Sequence, residues 1–413
     1  MNQIAKLEDT HQSSWQLAMI QLAGWTSLPI IATSILVLEG NSLWGAIATI
    51  VVGNAILWFL RIGMIAMSQE NRWSTLDLSS AYLGKIGSYF IAILLLISTF
   101  AWFIQQTTAA GTTLTRLITI HENKEIDQFT QMSVFLGIAS AFLCMEGMVL
   151  LKRLSVIVFP ILALAFFAIL FTLPPISSHI NDNRFSLSGL TLILATNLGI
   201  TSDLPTFFRH SRSLFDSVKA ITAIQIISLG LGLCSLYFGS IISRGFEIND
   251  RIVLSPDHEM LRIALIVFVF LSVITANVAN VYSASVGWEL VAPTALVGRK
   301  EYLIMGLGLT TIYILVANLL SLDYLLNVSD GALVNLCLVL ILGYILSLRL
   351  KRSPTSVEQT TYFIAWLLAS IFNTLQFAGV FLVEVSPFVV SLSSIIVVIA
   401  LSFIGMRIKG LIK

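Results

Sequence analysis

Twelve apolar runs, most of them 20 residues or longer, make up most of this 413-residue chain. A run of that length matches the hydrocarbon thickness of a bilayer when it is helical. Inside hydrocarbon, water satisfies no backbone group, so each run closes its own N–H and C=O pairs as a helix. The spans expected are 14–38, 42–68, 86–118, 130–151, 154–174, 188–208, 215–243, 261–288, 301–320, 322–347, 358–381 and 384–406. Composition excludes a soluble chain: 57% of residues are hydrophobic and 11% charged, where soluble domains carry about 25% charged residues. The net charge of +1 gives no electrostatic footprint for nucleic acid. Cys144, Cys234 and Cys337 stand far apart in apolar segments and read as small buried hydrophobes, with no disulfide or metal role.

The basic residues set the orientation. With the N-terminus in the cytoplasm, seventeen Lys and Arg fall on the cytoplasmic side, Arg61 among them, and six on the outer side. Every short even-numbered loop agrees, which places both termini inside. The protein is therefore expected in the inner (plasma) membrane, multi-pass, with the lipid bilayer as its surroundings. Spans one to five and six to ten can be set against each other. Five is odd, so the second set enters from the opposite side, as an inverted-topology repeat requires. The expected organisation is a cytoplasmic tail (1–13), a first repeat (14–174), a second repeat (188–347), a helix pair (358–406) and a second tail (407–413).

Two spans carry matching interruptions. Span one reads Gln21-Leu-Ala-Gly24-Trp25-Thr26-Ser27-Leu28-Pro29, and span six reads Asn197-Leu-Gly199-Ile-Thr201-Ser202-Asp203-Leu-Pro205. A helix broken in hydrocarbon survives only where the freed backbone groups line a cavity or bind something. A pair of such breaks, one per half, is the best sequence pointer to a transporter's binding site. The sequence contains no His-Glu-x-x-His, Gly-x-Ser-x-Gly or Walker motif, so an enzyme is not expected.

Other spans add side chains to the breaks. Trp102 and Gln106 lie four apart in the middle of span three, too deep for an interfacial belt, and share one helix face. A flat apolar ring beside an amide suits a planar heterocycle with hydrogen-bonding edges; helix packing is the bland alternative. Asn277 and Asn280 in span eight offer two amides, each both donor and acceptor, or else serve as polar glue between helices. Asp203 and Asp330 are carboxylates placed well away from span ends, and an intramembrane acid is a functional candidate by default. Asp203 has a capping alternative at the break in span six. Asp330 has a local break with water access as its alternative. An amino acid or amine, its ammonium facing Asp203 or Asp330, is the competing substrate class.

In order and spacing these residues resemble the cytosine, purine, uracil, thiamine, allantoin and hydantoin permeases, the first nucleobase–cation symporter family. The resemblance runs from Trp15 to Asn318 through Gln21, Gly24, Ser27, Pro29, Gly53-Asn54, Thr75, Leu83-Gly84, Gly87-Ser88, Trp102-Phe103, Leu154-Ser155, Pro160, Asp203-Leu-Pro205, Arg209 and Tyr282 to Gly287. It implies an all-α fold of the leucine-transporter type, a 5+5 inverted repeat with two extra C-terminal helices. It also implies import of a neutral nitrogen heterocycle by cation- or proton-coupled alternating access. Under this resemblance Trp102 stacks on the ring. Gln21, Gly24, Gln106, Asn197 and Asn277, with Asn280 as second choice, form the substrate site, and Ser27 and Thr275 the cation site, with Na+ at Gly24 and Thr275; the residues themselves add Gly199 at the span-six break to the substrate site and Asp203 and Asp330 to the cation or proton site. No organic cofactor is implied, and the protein is expected to be monomeric. The chain departs from the family at several positions, among them the tenth span, which lacks the family's Pro pair and has Gly343 where the family has an acid. Thr275 is followed by Ala276 where sodium-coupled members tend to have adjacent hydroxyls. Asn197 replaces an aromatic residue, and Thr206 replaces an Asp.

Overall fold

The computed structural model describes residues 11–25, 33, 36–38, 41–118, 125–144, 148–172, 187–242, 259–291, 299–316, 322–380 and 386–408. Among them run α1 (Ser14–Trp25), α2 (Leu43–Asn71), α3 (Thr75–Ile118), α4 (Glu125–Leu143), α5 (Met148–Thr172) and α6 (Leu187–Phe208). The second half holds α7 (Leu214–Ile242), α8 (Glu259–Val291), α9 (Arg299–Val316), α10 (Leu322–Leu350), α11 (Ser356–Phe377) and α12 (Pro387–Ile408). Each falls mainly on one expected span, α5 starting at Met148 within the end of the fourth. Among the described residues, six helices combine the length and apolar character needed to cross a bilayer; α2, α3, α8 and α10 are four of them. Their outward faces are apolar too: Trp44 is 74% exposed and Leu164 70%. Large apolar side chains exposed in such numbers call for lipid.

The interior divides into two apolar clusters. One gathers around α1, α5 and α8, with Leu17, Leu22, Phe166, Phe268 and Tyr282 fully buried. The other gathers around α2, α6, α10 and α11, with Leu57, Leu198, Leu336 and Tyr362. α3 and α8 pack along each other, and α3 supplies residues to both clusters. Small residues let helices approach closely, as the absence of a hydrophobic drive in lipid requires. At Gly306 of α9 a Cβ would lie 2.8 Å from the Cα of Ala141 in α4.

Three expectations change. First, α6 is one helix through Asn197 and Pro205, so the expected break in span six is absent. Proline costs one helical hydrogen bond, its missing N–H, and crowds the preceding turn. That turn is supported from outside: Thr75 donates its hydroxyl to the Ser202 carbonyl at 2.8 Å. Asp203 is consequently a mid-helix residue, and the capping alternative falls away. Asp330 likewise lies within α10, a helix from Leu322 to Leu350.

Second, span three begins earlier than expected. A helical segment starts at Thr75 and meets the long part of α3 at a kink where Gly84 takes φ 76° and ψ 175°. A side chain is strongly disfavoured there, and only glycine adopts it freely. Gln359 of α11 donates its amide to the Ala81 carbonyl at 2.9 Å beside the kink. Third, Arg61 belongs to no cytoplasmic loop. It is 1% exposed within α2, and removing it leaves the cytoplasmic excess of basic residues in place. In span one, α1 is described to Trp25; Ser27 and Pro29 lie outside the described residues.

Candidate substrate cavity

A cavity of about 610 Å³ opens where the two apolar clusters meet. Ile20 and Phe207 reach it from the first cluster, and Leu57, Leu95, Ile193 and Leu333 from the second. Its polar lining comes as helical stripes. α3 presents Ser98, Thr99, Trp102, Gln105 and Gln106, spaced three and four apart on one face. α8 presents Ala276, Ala279, Asn280 and Ser283; α6 presents Thr196, Asn197, Gly199 and Asp203; α10 presents Asn327 and Asp330. α1 adds Gln21 and Gly24. The two carboxylates share this lining with no Lys, Arg or His among the described residues.

Trp102 and Asp330 form the central pair. The indole Nε1–H of Trp102 donates to Oδ1 of Asp330 at 2.9 Å, and Ser98, one turn earlier on α3, donates to the same oxygen at 3.3 Å. The indole rim is thereby fixed while the residue still lines the cavity. Gly199 of α6 faces this acid, a Cβ there lying 3.9 Å from the Asp330 Cγ. Asp203 is tied on the other side: Ser283 donates to its Oδ2 at 2.5 Å. Asn280 donates to the Gln106 oxygen at 3.2 Å, so two of the expected edge-reading amides form one unit across α3 and α8.

The remaining expected residues are placed differently. Asn277 sits off the α8 stripe, because the stripe runs through Ala276, Ala279, Asn280 and Ser283. It is fully buried and donates to Thr107 at 2.9 Å, so it ties α8 to α3 and is absent from the lining. Thr275 is buried as well, and its hydroxyl reaches the Ala23 carbonyl at 3.1 Å, at the end of α1 beside Gly24. Those oxygens are of the kind a hard cation takes, while Ala276 adds no hydroxyl. Ser27 lies outside the described residues.

A network behind the cavity wall is legible only in three dimensions. Arg61 donates to Thr201 at 3.2 Å, to Gln225 at 2.5 Å and to the Asn197 oxygen at 3.0 Å. Gln225 in turn donates to Asn54 at 2.6 Å. Asn54 and Asn197 both line the cavity, yet each has its oxygen held by this network and its amide nitrogen donating to its own helix, to Ile50 and Ile193 respectively, at 2.9 Å. Ser98, Ser283 and Arg61 were missed as site residues from the sequence. Ser98 had a signal, its position four before Trp102.

No protein-family model and no curated protein sequence matches the chain. Solved structures do match in fold. Mhp1, a nucleobase-cation-symport-1 family transporter in a closed conformation with bromovinylhydantoin bound, aligns with TM-score 0.68 and 16% identity, over 96% of this chain and 93% of that one. A substrate-bound, outward-open Na+-coupled sialic acid symporter aligns with TM-score 0.67 and 12% identity, over 95% and 90%. The Eremococcus coleocola manganese transporter in complex with an aromatic bis-isothiourea substituted compound aligns with TM-score 0.59 and 15% identity, over 97% and 95%. The chain has the fold these transporters share, the leucine-transporter-type 5+5 inverted repeat with two further helices.

Proposed function

We propose that this chain is a secondary active transporter that imports a neutral nucleobase or related nitrogen heterocycle by alternating access, coupled to a cation or proton. The cytosine, purine, allantoin, hydantoin and hydroxymethylpyrimidine types are the substrates in view. One observation carries this reading: an indole, its rim locked by Asp330, lines a cavity between the two halves of an all-helical fold. Trp102 stacks on the ring, at about 1–3 kcal/mol if stacking in nucleic-acid binders is a guide. Gln21, Gln106 and Asn280 read the ring edges. The likeness in fold to a transporter with a hydantoin bound supports the same class of cargo.

The bundle of α1, α2, α6 and α7 rocks against the remaining helices about this cavity, in a monomer built of two repeats, 14–174 and 188–347, with both termini in the cytoplasm. A coupling ion fits two places. Na+ sits at the junction of α1 and α8, held by main-chain oxygen near Gly24 and by Thr275. A proton sits on Asp203. An amine or amino acid is the second reading, favoured by the two carboxylates in the lining. Uptake of radiolabelled cytosine, hypoxanthine, uracil, allantoin and hydroxymethylpyrimidine into proteoliposomes, under imposed Na+ or proton gradients, tests both. Saturable accumulation of a heterocycle that collapses with one gradient is expected. Accumulation of amines or amino acids alone, with every heterocycle inert, would favour the second reading.

A further inference from the structure

Asp330 divides its two oxygens between different tasks. Oδ1 accepts both the Trp102 indole N–H at 2.9 Å and the Ser98 hydroxyl at 3.3 Å. Oδ2 accepts no hydrogen bond from any described residue, although a carboxylate has room for about four in all, and Asp330 lines the cavity. An indole N–H lies in the plane of its ring, so the acid sits at the rim of the surface on which a ligand would stack. A ring lying on the indole face therefore brings its own edge near this carboxylate.

We propose that Asp330 is a positioning and specificity residue for the heterocycle: Oδ1 sets the plane of Trp102, and Oδ2 accepts a ring N–H from the ligand stacked on it. This rests on the heterocycle reading of the cavity and deepens it. The favoured ligand is a planar ring with an N–H on the edge turned to α10, as in a cyclic amide, imide or amidine. The same ring methylated on that nitrogen leaves the carboxylate oxygen without its donor and adds a methyl group against it. Gly199 leaves room on the α6 side, where a Cβ would come within 3.9 Å of the acid.

The test is equilibrium binding of the radiolabelled panel to the purified full-length protein in detergent, with each ring compared with its N-methylated counterparts. For wild type, methylation at one ring nitrogen weakens binding roughly 10- to 100-fold, the range of a hydrogen bond to a charged group. In Asp330→Asn the amide oxygen still accepts from Trp102 while an NH2 takes the place of Oδ2. Binding of the parent ring falls by a similar factor and the penalty for methylation disappears. Trp102→Phe, which keeps a stacking face and loses the anchor, binds more weakly but still discriminates against the methylated ring. Asp330→Asn that prefers the unmethylated ring by the wild-type ratio would overturn the proposal. Should Asp330→Asn not fold, wild type that binds every N-methyl isomer as tightly as the parent overturns it equally. Wild type that binds no ring of the panel refutes the heterocycle reading itself, and this inference with it.

Discussion

Two walls of the cavity handle buried charge in opposite ways. On the α2–α6–α7 wall, Arg61 lies behind the lining and its guanidinium donates to Thr201, Gln225 and Asn197. The amide oxygens of Asn54 and Asn197 are taken up by that network, so little hydrogen-bonding capacity is left for a ligand. On the α3–α10 wall, Asp330 lies in the lining and spends one oxygen on Trp102 and Ser98, while the other accepts no hydrogen bond from a described residue. A buried charge that is surrounded supports the fold, whereas one that is half-engaged can recognise something. On the function proposed above, the α2–α6–α7 wall holds its shape and the α3–α10 wall reads the ligand.

The largest effect expected is on the supporting wall. Arg61→Met removes three hydrogen bonds and leaves Gln225, Asn197 and Thr201 to find new partners, at a cost of about 3 kcal/mol or more. Folded yield and thermal midpoint in detergent should both fall sharply. A variant as stable as wild type would mean that the network is ornamental. Next comes the reading wall. Trp102→Ala should weaken heterocycle binding roughly 5- to 150-fold, the loss of stacking being roughly 1–3 kcal/mol, and should lower the unliganded midpoint by less than Arg61→Met does, because only one hydrogen bond, to Asp330, is lost.

A matched pair then sharpens the contrast. Gln106→Ala should weaken binding by about 1 kcal/mol with little change in stability. Asn197→Ala should do the reverse, lowering the midpoint and leaving affinity near wild type, because its oxygen serves Arg61. If the two behave alike in binding and melting, the distinction between the walls fails. The smallest effect lies far from both. Glu358 accepts both arms of Arg352 at 2.7 Å and completes a capping box with Thr355 at the start of α11. Glu358→Gln should cost at most about 1 kcal/mol of stability and leave affinity unchanged.

Much of the reading wall was legible in the sequence. Trp102 and Gln106 share a face through their spacing alone, and Asp330 stood out as an acid inside an apolar run. The supporting wall was not legible, because Arg61 near the end of an expected span looks like any cytoplasmic-side arginine. Only residues more than a hundred positions away, on α6 and α7, reveal what it holds. The break in span six failed for a related reason. Gly199 and Pro205 are poor helix residues in isolation, but Thr75 from a neighbouring helix supports the turn before the proline. Asn277 was misjudged by one helical step: three residues from Asn280 places it near the same face, yet the described stripe passes through Ala276 and leaves Asn277 against Thr107.

The central claim is that a heterocycle stacked on Trp102 is the transported species. Gradient-driven uptake of the radiolabelled panel, measured side by side in proteoliposomes of wild type and Trp102→Ala, tests it most directly. The account predicts saturable accumulation of at least one N–H heterocycle by wild type and, below saturating substrate, uptake at least about 5-fold lower by the variant. Equal uptake by the two proteins would contradict it.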